Sequence, residues 1–313
     1  MALDRPMGAL TLQAFSQENA FLRAVTLVLL ALAGLAACKT AQAPPAERTD
    51  DFGDAIQAGA PPTRIVTLNP TTTELIFALG AGHRIVGRST YDVYPDSAKY
   101  VPDVGPGLRP NVESVLGTRP DLVVLYASND NRVAARELRA AGVKTLSLKI
   151  DHIADFYRAS RLLGVILGDS ARGAVVSDSV EKTLERVRRA TASLPRPKVF
   201  WHIWDAPLIT IARGSYMNEL VEIAGGTNVY ADMAEASPAV SIEDVVKRDP
   251  QFILAGPEGA KKIAGDRQWS AVPAVKNKRI LVVDTMVVGR PSVKLGEAAI
   301  SLALLLHPGS VSR

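Results

Sequence analysis

Cysteine is nearly missing from this chain: Cys38 is the only one in 313 residues. A single thiol excludes an internal disulfide framework and every zinc or iron–sulfur site built on several cysteines. Histidine is scarce as well. His83, His152, His202 and His307 form no close-spaced ligand pattern, so no resident metal and no cofactor are expected. Charge of one sign is not in excess. Lys and Arg number 36 against 32 Asp and Glu, for a net charge of +4 and a pI near 9.2. The two signs are interspersed, as along 181–189, and no dense basic block marks a nucleic-acid binder. Catalytic signatures are missing too: there is no Gly-x-Ser-x-Gly elbow, no His-Glu-x-x-His and no paired-cysteine motif. The run Gly80-Ala-Gly82-His-Arg-Ile-Val-Gly87 has the wrong third spacing for a phosphate loop and follows a helical pattern instead of a strand. His202 lies inside a strand pattern and reads as a packed histidine, not a base. An enzyme is not expected.

What is present begins with an export signal. Arg23 precedes an almost wholly apolar run, Ala24 to Ala33, which ends in Leu35-Ala36-Ala37-Cys38. The run is short of the roughly 20 apolar residues that span a bilayer. It has the length of a signal-peptide core. Its end resembles the lipobox of bacterial lipoproteins, in which the cysteine is lipidated and becomes the first mature residue. The alternative is a plain signal peptide with an incidental cysteine. Residues 1–20 are long for the basic region, and Met7 or a later position is an alternative start. Residues 1–37 are therefore read as signal peptide and 38–62 as a flexible Pro/Ala/Gln/Gly-rich tether. This places the folded part outside the cytoplasm, periplasmic or on the cell surface, held to the membrane by lipid alone.

From Arg64 onward β-rich and helical patterns alternate. Arg64-Ile-Val-Thr-Leu-Asn69 reads as a strand, and Asn69 before Pro70 as a helix cap. Thr71-x-x-Glu74 offers a second start one turn later. Arg84 to Ser89 reads as the next strand. Then a repeat appears. Asn111-Val-Glu113-Ser-Val-Leu-Gly-Thr-Arg-Pro120 followed by Asp-Leu-Val-Val-Leu125 is echoed by Ser241-Ile-Glu243-Asp-Val-Val-Lys-Arg-Asp-Pro250 followed by Gln-Phe-Ile-Leu254. Each copy is a polar cap, a short helix with Glu at its second position, a proline stop and an apolar strand. A basic residue and a β run precede each copy, at Arg64 and Lys198. Further strands follow at 143–148 and 279–284. The expectation is an α/β fold of two Rossmann-like lobes, each a mainly parallel sheet with flanking helices. The lobes cover 64–168 and 197–308. Val175, Val176, Val180, Leu184 and Val187 make 169–195 one long amphipathic linker helix.

Ligands of open α/β sheets bind beyond the carboxyl ends of the strands. Those ends carry Asn69, Tyr91, Tyr94, Tyr126 and Ser128 in the first lobe. In the second they carry Trp204, Gly256, Pro257 and the stretch from Asp284 through Arg290. Aromatics are only 5% of the chain, so their gathering at strand ends points to a bulky, flat, partly polar ligand.

The order of these motifs resembles the cluster A, helical-backbone substrate-binding proteins of ABC importers for vitamin B12, ferric siderophores and haem. The resemblance rests on 64–82, on Ile85-Val-Gly, on Ser89-Thr-Tyr-Asp-Val-Tyr-Pro95, on Asn111 to Leu116, on Gly225-Gly-Thr-Asn228 and on Val240-Ser-Ile-Glu243. It implies a monomeric protein delivering a small molecule to a permease and its ATPase. In the cobalamin-binding members one glutamate per lobe docks on permease arginines, which here implies Glu113 and Glu243. Tyr91 matches a corrin-contacting tyrosine, and Tyr126 stands where those members have tryptophan. Two departures keep haem and ferric siderophores open. The tryptophan before the first docking glutamate gives way to Gly105-Pro-Gly-Leu-Arg109, and Ser237-Pro238 replaces a second one. For such ligands Arg109, Arg213 and Arg290 are placed to meet carboxylates. An enzyme, or a lipoprotein engaging mainly a protein partner, is the remaining alternative.

Overall fold

Strand β1 (Ile65–Thr67) is the seed of the first sheet, and all three of its residues are buried. The computed structural model describes residues 49–57 and 59–311; Cys38 and the expected signal peptide lie outside them. After β1 come α1 (Pro70–Ala78), β2 (Ile85–Arg88), α2 (Val112–Gly117), β3 (Leu122–Tyr126), α3 (Arg132–Ala140), β4 (Lys144–Leu148) and α4 (Ile153–Leu167). Helix α5 (Ser170–Thr191) follows, inside the stretch read as linker, with Asp169 accepting from Arg172 N as its cap. The second half holds β5 (Lys198–His202), the antiparallel ribbon β6 (Trp204–Asp205) and β7 (Leu208–Ile209), α6 (Tyr216–Ile223) and β8 (Thr227–Asn228). It continues with α7 (Ile242–Arg248), β9 (Phe252–Ala255), α8 (Pro257–Gly265), α9 (Pro273–Lys276), β10 (Ile280–Val282), α10 (Thr285–Val288) and α11 (Leu295–Leu306).

The two main sheets are built alike. The first runs β2-β1-β3-β4 and the second β8-β5-β9-β10. Numbered within its own half, each has the strand order 2-1-3-4, and every pair is parallel. Parallel strands covered on both faces need continuous apolar runs. Leu122 to Leu125 and Val199 to Trp201 supply them and are buried throughout.

The sequence repeat is a structural one. Asn111 Oδ1 accepts from Ser114 N at 3.0 Å, and Ser241 Oγ accepts from Asp244 N at 3.2 Å, so each short helix has its cap. Each ends in a non-glycine residue at positive φ just before the proline: Arg119 at 51° and Asp249 at 49°. The next side chain fastens the turn to the first strand of its half. Asp121 accepts from the amides of Thr63 and Arg64, and Gln251 Oε1 accepts from Lys198 N. Arg64 closes the first copy by donating to the carbonyls of Thr118 and Arg119 at the end of α2.

Each sheet has an apolar layer of its own. A third, larger cluster is common to both halves. It runs from Ile65, Leu146 and Phe156 through Val180, Leu184 and Val187 of α5 to Val199, Trp201 and Leu302. Val175, expected on the apolar stripe of α5, is 65% exposed instead, because it sits where α5 faces away from that cluster. Helices α4 and α5 cross at glycines: a Cβ on Gly173 would lie 2.8 Å from Ser160 O, and one on Gly164 would lie 2.8 Å from Gly173 Cα.

The stretch read as tether differs from that expectation over its last part. Asp50 is buried, and its carboxylate accepts from the amides of Phe52, Asp54 and Ser147. Asp51 accepts from Lys149 N and from Arg158, Asp54 pairs with Arg139 at 2.8 Å, and Phe52 lies under Arg132. Three aspartates thus clip residues 50–56 along β4, an edge strand whose free backbone groups would otherwise be open. Among the described residues no helix is long and apolar enough to cross a membrane.

Candidate functional site

A cleft of about 540 Å³ opens at the carboxyl ends of the strands, with walls from both halves. The first half contributes Asn69, Thr71, Thr90, Tyr91, Tyr126 and Asp151; the second contributes Met286, Gly289, Arg290 and Pro291. The volume lies within the roughly 300–1,000 Å³ common for small-molecule sites.

The loop carrying Tyr91 is held by a buried polar network. Thr67 Oγ1 lies 3.1 Å from Thr72 Oγ1 and 2.8 Å from Thr73 Oγ1. Thr73 donates to Asp92 at 2.6 Å, and Ser89 Oγ donates to the other carboxylate oxygen at 2.6 Å. Asp92 therefore ties the 89–92 turn to the start of α1 and leaves the neighbouring Tyr91 ring 70% exposed in the cleft mouth. Asn69 spends its Oδ1 on Thr71 N at 2.9 Å, capping α1 as expected. Gly107 lets the 105–109 loop lie against the chain just after β1: a Cβ there would collide with Leu68 O.

Tyr126 donates to Asp151 at 2.6 Å, and Lys149 Nζ lies 3.3 Å from the second Asp151 oxygen. Burial and the Asp151 carboxylate drive the Tyr126 hydroxyl far above its ordinary range, so it presents a neutral ring. Arg290 meets Glu74 of α1 across the halves, Nη1 to Oε1 at 3.3 Å. Burial raises the Glu74 carboxyl, opposed by the Ser292 hydroxyl, Arg290 and Lys294. Further bonds join the halves beside the cleft. Tyr216 N donates to Asp151 O, and Glu219 lies 2.9 Å from His152 Nδ1.

Of the nine side chains expected at the ligand, from strand ends or as carboxylate partners, Asn69, Tyr91, Tyr126 and Arg290 line the cleft. Five others are not among its lining residues. The Tyr94 ring packs under Lys294 Nζ at 3.8 Å. Arg109 is engaged by Asp130 at 2.7 Å. Arg213 is exposed beyond the second sheet. Trp204 is 61% exposed on the ribbon. Asp284 caps α10 by accepting from Met286 N at 2.8 Å, which positions Met286 in the wall. Thr71, Thr90, Asp151 and Pro291 were not anticipated. Asp151 follows the end of β4, a strand end that the same positional rule covers. His202 is buried at the end of β5 with Nε2 3.0 Å from Asp205. Glu113 and Glu243 stand exposed in the first turns of α2 and α7. The Glu243 carboxyl is held below its usual range by its own backbone N–H and by Ser241.

Asp92 gives a pH signature. Burial raises its carboxyl above the ordinary 3.8, against the hydroxyls of Ser89 and Thr73. Between those two values the folded chain holds a proton that the unfolded chain has lost, so this group makes stability fall as pH rises through the window. Asp92→Asn removes that term. Urea midpoints measured from pH 3.5 to 7 are expected to show the variant gaining on the parent as pH rises; a constant difference would refute the assignment.

A family profile described as "Periplasmic binding protein" matches residues 65–286. The chain is 28% identical over 256 residues to the uncharacterized ABC transporter substrate-binding lipoprotein YvrC of Bacillus subtilis, covering 79% of this chain and 81% of that one. It resembles the crystal structure of the periplasmic vitamin B12 binding protein of Vibrio cholerae with a TM-score of 0.69 at 25% identity, over 79% of this chain and 97% of that one. A periplasmic haem-binding protein from Roseiflexus shares the fold with a TM-score of 0.71 at 24% identity, over 81% and 100% of the two chains.

Proposed function

The chain belongs to the periplasmic binding protein family, and we propose that it is the extracytoplasmic, Cys38-anchored substrate-binding protein of an ABC importer that captures a corrinoid. The relatives support the importer reading: one is an ABC transporter substrate-binding lipoprotein and another a vitamin B12 binding protein. Glu113 and Glu243, one per half on matching helices, are the proposed contacts to the permease and its ATPase. Two charges at a fixed separation give docking its register.

The ligand reading rests on the charge state of the cleft. Arg290 is the one basic residue among the described lining residues, and it is already paired with Glu74. Asp151 is likewise engaged by Tyr126 and Lys149. A corrinoid is a flat macrocycle rimmed by neutral amides, which suits aromatic faces and hydrogen-bonding walls without a free cation. Haem brings two carboxylates and asks for cations that this wall does not leave free.

The test is calorimetry and visible absorbance on the full chain in detergent, titrated with cyanocobalamin, haem and a ferric siderophore. One-to-one cobalamin binding is expected. Tyr91→Ala is expected to weaken it about tenfold or more, since an exposed aromatic anchor in a cleft mouth contributes about 1.4 kcal/mol or more. Binding of haem or a siderophore in place of cobalamin would keep the importer role and replace the ligand.

A further inference from the structure

Arg290 stands in the cleft wall, and Glu74 reaches it from behind, out of the first half of the chain. The Glu74 side chain is 1% exposed and that of Arg290 18%. Glu74 Oε1 lies 3.3 Å from Arg290 Nη1 as a charge contact, while Glu74 Oε2 and Arg290 Nη1 are both buried without a hydrogen-bond partner among the described residues. A buried carboxylate with one oxygen unserved is costly. A pair kept only to join the halves would be served as well by apolar packing. What the carboxylate changes is the charge that Arg290 shows to the cleft. The other groups facing Glu74 are Lys294 and Asp92, of opposite sign, and the Ser292 hydroxyl. Lys294 is drawn to the Tyr94 ring and does not line the cleft.

We propose that Glu74 determines ligand specificity: by cancelling Arg290 from behind the wall, it makes the cleft accept ligands with a neutral rim and reject those that present a carboxylate. This rests on the cleft being the ligand site. An unpaired guanidinium is a fork for carboxylates. With the Glu74 carboxylate 3.3 Å from Nη1, an incoming carboxylate meets a buried anion close behind the cation, and the net charge it sees is cancelled. Discrimination then comes from the repulsive element in the wall, with no added contact to the preferred ligand.

The test compares ligands that differ only in charge. Cyanocobalamin is set against its monocarboxylic acid, in which one side-chain amide is hydrolysed, and haem against its dimethyl ester. The full chain in detergent is titrated with both pairs, and the acid-to-neutral affinity ratio is read for each variant. The parent is expected to bind the neutral member more tightly. Glu74→Gln shifts the ratio toward the acid by about tenfold, the scale of one close charge pair. The double variant Glu74→Gln/Arg290→Gln loses that shift, because no guanidinium remains to bind the acid. Glu74→Asp, which keeps the charge but withdraws it by one methylene, shifts the ratio in the same direction by less and serves if Glu74→Gln does not fold. A ratio equal in the parent and both single variants would overturn the proposal. Binding of the haem pair alone would end the corrinoid reading, and the haem pair would then report on Glu74.

Discussion

Cells carrying Glu113→Ala together with Glu243→Ala are expected to lose transport by about 100-fold or more while the purified protein keeps its ligand affinity. Truncating one partner of a hydrogen-bonded interfacial charge pair costs about 2–5 kcal/mol, and two such losses fall on one docking event. Both side chains are exposed in the first turns of helices remote from the cleft lining, so neither change touches ligand contacts. The helices themselves keep Asn111 and Ser241 as caps and lose only a small macrodipole term, about 0.3–1 kcal/mol each. Association with the permease in nanodiscs, measured beside ligand titration, separates the two effects. Unchanged association would end the docking assignment. Each single variant is expected to fall between the parent and the double, because the two contacts act in one binding step.

Gly173→Val is expected to cost about 3 kcal/mol, toward the upper end of overpacking penalties. The new Cβ would stand 2.8 Å from Ser160 O and 3.0 Å from Gly164 Cα, so backbone, not a movable side chain, must give way. Helices α4 and α5 meet there, and both feed the cluster common to the two halves. At about 2–4 °C per kcal/mol for a domain of this size, the melting temperature is expected to drop by roughly 6–12 °C. Gly117→Val in α2 is the control, since nothing lies within 4 Å of a Cβ there. Equal losses at both positions would show that the α4–α5 crossing is not what the substitution disturbs.

The architecture was open to reading because its signals are local. Asn69-Pro70, the Pro120 and Pro250 stops and the apolar strands that follow them each act within a few residues, and the repeat shows them twice. Side-chain direction is not local. A strand-end rule fixes where a Cα sits, and so it gathered Trp204 and Asp284 with Tyr91 and Tyr126, while Arg109 was added for its charge alone. The side chains of Trp204, Arg109 and Asp284 turn to the ribbon surface, to Asp130 and to the α10 cap. Glu74 was read as a possible capping residue, because Thr71 stands three positions before it. With the helix starting at Pro70, that carboxylate is free to cross to Arg290, 216 positions away in the chain, a partnership no local pattern encodes. The role of Asp92 was hidden for a similar reason: its partners Thr73 and Ser89 come from two different elements. The 50–56 segment looked like tether on composition alone, which does not register that Asp50 finds amides on β4.

Under the proposed lipid anchor on Cys38, that last feature sets how far the protein could stand from a bilayer. With lipid on Cys38 and the fold beginning at Arg64, the 26 intervening steps would let it rise as much as roughly 90 Å on a fully extended strand. Fastened at Asp50, only 12 steps are left, and the ceiling falls to roughly 40 Å. The three aspartates thus halve the leash. They also fix its point of departure at the outer edge of the first sheet, which, under the proposed anchoring and docking, would limit the tumbling of Glu113 and Glu243 above the membrane and raise their local concentration at a permease in the same plane.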